Sequence, residues 1–346
     1  MILIRNSQRI KSRFTCAKTA VLLLCLIFGQ TFSIEYRVAV ESVLDNKEYG
    51  GYPAEDGTLF FVRNETEIGI KVDEGQNHQL RSGFSYLQEF GAPESADNFH
   101  LLLYYQYRGD NLFFRIGSFP RASSLSLPDW FFNDSAAYFR PFIHGAVVNA
   151  TKWNTTFSAW VDWTSRQTDE IRETFLFGGG VRHDYDIFFV KQEFIMYHRA
   201  APGVALENDH VWDNGGLSGG AGASFREISF IDSVILGFGG LMSLDRYRGD
   251  GNWHTPAGGY INASASKSFF TARGFFYNGK SQRMHFWGDP FYTVPTFGRL
   301  DLAVNFIKNQ AVSAKFFQSM HFSKEGGTGY SQHFILNAEI GGFFNK

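Results

Sequence analysis

Ten histidines, at 78, 100, 144, 183, 198, 210, 254, 285, 321 and 333, are the first places to look for catalysis or metal binding. None forms the four-apart pair with an intervening glutamate that sets two imidazoles and a base on one helical face. No Gly-x4-Gly-Lys-Ser/Thr loop is present to cradle a phosphate. The glycine runs Gly178–Gly180, Gly215-Gly216 and Gly219-Gly220 lie inside predicted strands. There glycine marks close packing or bends. Asp245 and Asp250 share one link but lack the regular acid spacing of a calcium loop. The expectation from these residues is no enzyme, no cofactor and no metal. What the charged residues can do is select solutes. Glu65, Glu67, Lys71, Arg108, Arg115, Asp162, Arg182, Lys191, Glu193, Arg273, Asp301 and Lys315 all fall on the polar side of an alternating pattern. Charges that line a water-filled channel tune which ions pass.

The elements that must position these residues are strands. From Tyr330 to Lys346 the residues Phe334, Leu336, Ala338, Ile340, Gly342 and Phe344 alternate with His333, Ile335, Asn337, Glu339, Gly341 and Phe343. Successive side chains on a strand point to opposite faces, so this strand has one apolar face and one largely polar face. It is as long as a tilted strand that crosses a bilayer. Soluble strands usually run only about 5–6 residues. The same alternation sets Leu300, Leu302, Val304 and Phe306 against Asp301, Ala303, Asn305 and Ile307. It also sets Phe188, Val190, Phe194 and Met196 against Lys191, Glu193 and Tyr197. Sixteen such segments can be marked between 34 and 345, with 14 or 18 left open. Their connections alternate between tight turns, as at Gly109-Asp110 and Ala150-Thr151, and mostly longer links, as at 122–136, 199–213 and 278–297. Short turns on one rim and long loops on the other define a transmembrane barrel. The fold class predicted is therefore all-β: a transmembrane antiparallel β-barrel of about 16 strands, with short periplasmic turns and long external loops. Tyr104, Tyr105, Tyr107, Trp153, Trp160, Trp163, Tyr197, Phe343 and Phe344 lie near predicted strand ends, where interfacial girdles form.

Residues 1–19 carry five bases and no acid, and the nine residues Ala20–Phe28 are apolar. Nine are too few to span a bilayer, which needs about 20, so 1–33 reads as a cleaved secretory signal and 34–346 as one barrel domain. Both cysteines, Cys16 and Cys25, fall in the leader, which leaves no disulfide framework in the remainder. The full chain has 32 basic and 34 acidic residues; without the five leader bases the balance is 27 against 34, or −7. Such a balance argues against nucleic acid as a partner.

The terminal amphipathic strand with Phe344 resembles the end of Gram-negative outer-membrane β-barrels, although Asn345 and Lys346 follow the aromatic here. Asp45–Tyr49, Gly117–Arg121 and Tyr138–Pro141 look like phrases of porin-like outer-membrane proteins of unassigned substrate. The resemblance implies an outer-membrane location, passive diffusion of small hydrophilic solutes and a homotrimer. A chain of this class meets outer-membrane lipid and lipopolysaccharide and the barrel-assembly machinery. The link 122–136 follows the fifth strand, as the constricting loop does in general porins. Its Leu125, Leu127, Trp130, Phe131 and Phe132 are too apolar for a solvated loop. An eyelet is expected in which Asp129 and Asp134 oppose Arg115, Arg121 and Arg140. Some barrels resembling this type are lipid hydrolases or proteases, and Asp209-His210 is the local pair to test for such a role. The soluble rival is a secreted β-rich carbohydrate-binding protein, which would be extracted without detergent.

Overall fold

The computed structural model describes residues 33–344 apart from 52, 73, 74, 76, 93–97 and 205–209. The proposed leader lies outside this range except for Ser33, as do Asp209 and most of the first tight turn. The strands are β1 (Ser33–Glu48), β2 (Gly57–Lys71), β3 (His78–Glu89), β4 (Phe99–Arg108), β5 (Leu112–Pro120), β6 (Phe142–Lys152), β7 (Thr155–Ser165) and β8 (Thr174–Tyr185). They continue as β9 (Phe188–Arg199), β10 (Trp212–Ile228), β11 (Ile231–Tyr247), β12 (Ala257–Lys267), β13 (Phe270–Gly279), β14 (Thr296–Lys308), β15 (Val312–Ser323) and β16 (Gly327–Phe344). Each pairs antiparallel with its neighbours in sequence, and β1 pairs with β16 to close the barrel. Closure gives every strand two partners, so no edge of unpaired amides faces lipid. The only α-helix among the described residues is α1 (Asp134–Phe139), in the link between β5 and β6.

The alternation read from sequence sets the two faces. Leu101, Leu103, Phe157, Phe238, Ile261 and Ile340 are each more than half exposed and make an apolar exterior. Residues of opposite parity, such as Arg63, Glu67, Asp162, Ser218 and Ser331, are buried inside. A closed barrel with a greasy outer belt and a polar interior is a membrane-spanning structure of the outer-membrane kind. One rim carries tight turns. Between β6 and β7, Trp153 and Asn154 both take positive φ, 50° and 60°, which is what a two-residue hairpin turn requires. The other rim carries the long links, except that β15 and β16 are joined by residues 324–326 alone. The expected girdle is only part of what these aromatics form. Trp153 and Trp163 stand exposed, but Tyr104, Trp160 and Tyr197 have inward parity and are buried in an interior cluster.

That cluster exists because two long links fold into the lumen. Trp130, Phe131 and Phe132 of the β5–β6 link pack with Met284, Phe291 and Tyr292 of the β13–β14 link and with wall residues Phe119, Ile143, Leu241 and Tyr277. The two links are also bonded to each other. The Asn133 amide donates to the Trp287 carbonyl (2.7 Å), and the Asp289 amide donates to the Asp129 carbonyl (3.0 Å). Burying each large apolar side chain contributes roughly 1.5–3 kcal/mol, so this plug is a packed body and not a loose flap. Gly216 lets it reach the wall: an added Cβ would stand 3.1 Å from both the Trp130 ring and Met284.

Candidate functional site

The lumen site was expected at the β5–β6 link, and the link does turn inward. Its charges find other partners than the eyelet foresaw. Arg121 donates through Nη2 to Asp162 Oδ2 at 2.5 Å and to the Phe142 carbonyl at 2.9 Å, and lies over the Phe132 ring. It fastens the base of the link. Arg115 donates to Gln106 (2.6 Å) and to the Ser123 and Ser124 hydroxyls (2.6 and 2.5 Å) while stacked on Tyr104 and Phe113. Arg140 lies 4.6 Å over the Trp287 ring and so joins the two plug links. Asp129 pairs with Arg299 of β14 at 3.3 Å. Asp134 opens α1 and lines a cavity of about 500 Å³ on the long-loop side of the plug. The structure thus does not bring Asp129 and Asp134 against Arg115, Arg121 and Arg140.

Other lumen residues pair locally. Arg182 holds Asp184 (2.7 Å) and Lys191 stands 3.9 Å from Glu193, which accepts from Ser218. Arg273 shares a cavity of about 430 Å³ with Arg182, Lys191, Glu193 and Ser218 on the short-turn side of the plug. Gly216-Leu217-Ser218-Gly219-Gly220 has the spacing of a nucleophile elbow, but it runs straight within β10. An elbow is a strand-to-helix turn, so Ser218 is a wall residue. A second short-turn-side cavity of about 710 Å³ lies along β1–β5. There Arg37 pairs with Glu65 and Glu67 at 2.9 Å, and Glu35 with Arg81 and Lys71 at 2.5 Å.

The β13–β14 link is held by a set of bonds that sequence reading did not foresee. Asp245 accepts from Trp212 Nε1 (2.7 Å) and Asn214 (3.0 Å), and faces Arg283 at 3.2 Å and His285 at 3.3 Å. Ser243 and Gln282 add two more bonds to the wall. These residues anchor the plug at the long-loop rim.

On the outside of that same rim is a different arrangement. Register places Trp163 (β7), Phe175 (β8), His198 (β9), Asp213 (β10) and Arg246 (β11) side by side across five strands. Directly paired residues share a face, and the row has the parity of the exposed Phe157, Phe188, Val190 and Phe238. It therefore faces outward, at the end of the barrel that carries the long links. His198 Nδ1 lies 2.7 Å from Asp213 Oδ1. Arg246 Nη2 and Arg248 Nε reach Asp213 Oδ2 at 2.7 and 3.2 Å. Phe175 packs on one side of the imidazole at 4.9 Å and stacks on Trp163 at 4.9 Å. Arg246 lies under Trp253 at 4.4 Å. Trp253 is fixed there by the reciprocal amide bonds between Asp245 and His254, 3.0 and 2.8 Å. With Nδ1–H directed to Asp213, the His198 Nε2 carries the lone pair, which is the arrangement of an oriented general base. Two guanidiniums against one carboxylate leave net positive charge beside it. His210, half of the local pair singled out in the sequence, makes ring contact with Tyr247 nearby.

The model of a family described as lipid A 3'-O-deacylase-type matches residues 30–338. The chain belongs to that family. Removing an acyl chain from a lipid is ester hydrolysis, so the expectation of a non-enzymatic protein is overturned by this match. It arose because no four-apart histidine pair, phosphate loop or calcium loop is present in the sequence. Solved structures show the fold. The chain is similar to OmpTdeltaL8, a loop-deletion mutant of OmpT from Vibrio cholerae (TM-score 0.55, 6% identity, covering 89% of this chain and 99% of that one). It is also similar to an anion-selective porin from Comamonas acidovorans (0.53, 9%, 90% and 99%). Outer membrane protein opdK of Pseudomonas aeruginosa is a third such structure (0.51, 8%, 89% and 99%). No curated protein matches the chain in sequence. This deacylase-type family member is thus a porin-like outer-membrane barrel in architecture.

Proposed function

We propose that the protein hydrolyses an acyl ester of an anionic outer-leaflet lipid at the outward rim, with His198 as general base. The observation that carries this reading is the in-register row Phe175–His198–Asp213–Arg246, facing lipid beside the long-link rim. A lipid ester sits near the membrane–water boundary, and so does this row. Asp213 orients the imidazole and stabilises its protonated form. His198 Nε2 takes a proton from water as the oxygen adds to the acyl carbonyl, then returns it to the departing lipid hydroxyl. Arg246 and Arg248 meet the lipid's anionic group, and Trp163, Phe175 and Trp253 flank its apolar part. The family description makes lipid A the first substrate to try. Purified protein in mixed micelles with lipopolysaccharide is expected to release free fatty acid, and Arg246→Ala to weaken capture of the phosphorylated lipid about tenfold, the value of one charge-assisted contact. No fatty acid from correctly folded protein, judged by heat-modifiable gel mobility, would refute the reading.

A second reading is passive passage of small hydrophilic solutes. It is supported by charged cavities on both sides of the plug, and it requires the plug to move.

A further inference from the structure

We propose that Ser331, His333 and Asp45 form a second hydrolytic centre, inside the barrel mouth, that cleaves small cationic esters. Ser331 and His333 are two apart on β16, so both project inward. Register sets Asp45 of β1 opposite His333 and Lys47 opposite Ser331. Ser331 Oγ lies 3.2 Å from His333 Nε2. On the other side of the ring, Asp45 Oδ1 is 3.4 Å from Nδ1, and the Tyr138 hydroxyl is 3.2 Å from the same nitrogen. The imidazole is clamped face to face on Phe317, ring centres 4.0 Å apart. The Asp45 carboxylate is almost wholly buried and neither oxygen accepts a hydrogen bond. Its charge is met by Lys47, whose Nζ lies 3.1 Å from Oδ2 and also donates to Ser135 Oγ at 2.9 Å, and by His333. A hydroxyl, an imidazole in reach of it and a carboxylate behind the imidazole are the parts of an activated nucleophile. Slightly long spacings are usual before substrate binds.

Access and substrate class follow from the cavity. Ser331, Asp45 and Lys47 line a cavity of about 500 Å³ on the long-loop side of the plug. That volume fits a small molecule and not a multi-chain lipid. Its wall carries Glu55, Asp56, Glu89, Asp134 and Asp289 against few bases, chiefly Lys47 and Arg299. A cleft lined by one sign of charge concentrates the opposite sign, so the substrate is cationic. In the first step Ser331 Oγ bonds to the acyl carbonyl carbon and its proton passes to His333 Nε2. The C–O bond to the alcohol then breaks, and the alcohol leaves with that proton. Water next adds to the Ser331 ester, giving its proton to Nε2. The bond to Ser331 breaks, the acid leaves, and the serine regains the proton. Lys47, across from Ser331 and shared with Asp45 and Ser135, is the cation that turns to the developing oxyanion.

The test uses the full protein in detergent, with folding checked by heat-modifiable mobility. An alkyl fluorophosphonate should modify Ser331, as read by peptide mass spectrometry. Acetylthiocholine should be hydrolysed, with at least a hundredfold loss in Ser331→Ala and preference over an anionic thioester of equal size. Absence of Ser331 modification in the folded wild type would overturn the proposal. So would hydrolysis retained by Ser331→Ala, or no preference for the cationic ester. None of these readouts involves lipid, so the result stands apart from the fate of the rim reading.

Discussion

His198 and Asp213 are fifteen positions apart and meet only because β9 and β10 pair in one register. A single-strand view sees an isolated histidine at the end of an apolar set. The signal that was available is that His198 and Asp213 interrupt the outward face of two adjacent strands just where the long link begins, a costly place for polar groups unless they pair. The candidates singled out from the polar set were lumen residues, and the structure uses Arg121 and Arg140 to hold the plug. At this same scale, Asp289 carries a testable pH dependence. Burial, together with the Asp129 and Asp134 charges, pushes its carboxyl up to about 6, while Arg299 and the Phe291 amide oppose the rise. Because the folded value lies above the ordinary 3.8, this residue's contribution is fully present below about pH 4 and is lost as pH rises through about 6. A shift of this size corresponds to roughly 3 kcal/mol at most. Hydrogen exchange of the 280–295 amides should therefore slow between pH 7 and pH 5 after correction for intrinsic exchange. Asp289→Asn should abolish the difference. Unchanged pH sensitivity in that variant would show that another group is responsible.

Among elements, the two plug links show how far composition carries. The β5–β6 link was recognisable because Trp130, Phe131 and Phe132 are too apolar for solvent. The β13–β14 link holds Met284, Phe286, Trp287, Phe291 and Tyr292 and carries the same signal, yet its length alone made it read as an external loop. What composition could not supply is that the two meet, since the Asn133–Trp287 and Asp289–Asp129 bonds join positions about 150–160 residues apart. Trp130 is the ring packed closest to the wall at Gly216. Truncating a buried tryptophan costs about 3–5 kcal/mol, enough to free a link from the plug. In planar bilayers Trp130→Ala should give larger and more frequent conductance steps than the wild type. Identical traces would mean that the plug does not control the lumen.

For the whole molecule, the sixteen-strand barrel was legible because two independent periodicities agree: side-chain alternation and the parity of link lengths. Both are imposed by the bilayer on every strand, so errors of a residue or two at strand ends do not accumulate. Function was not legible in the same way. A porin-like pattern fixes the wall and leaves open whether the chain transports or cleaves, because the residues proposed to act at the rim are brought together by register around the barrel. The central claim is that this barrel is a scaffold for lipid deacylation at its outer rim. The most direct test is the mass of lipid A extracted from outer membranes that carry the wild type, His198→Ala or Asp213→Asn. The account predicts loss of one acyl chain with the wild type, unmodified lipid A with His198→Ala, and conversion slowed by about 10²–10⁴ with Asp213→Asn. Deacylation by folded His198→Ala at the wild-type rate would contradict it.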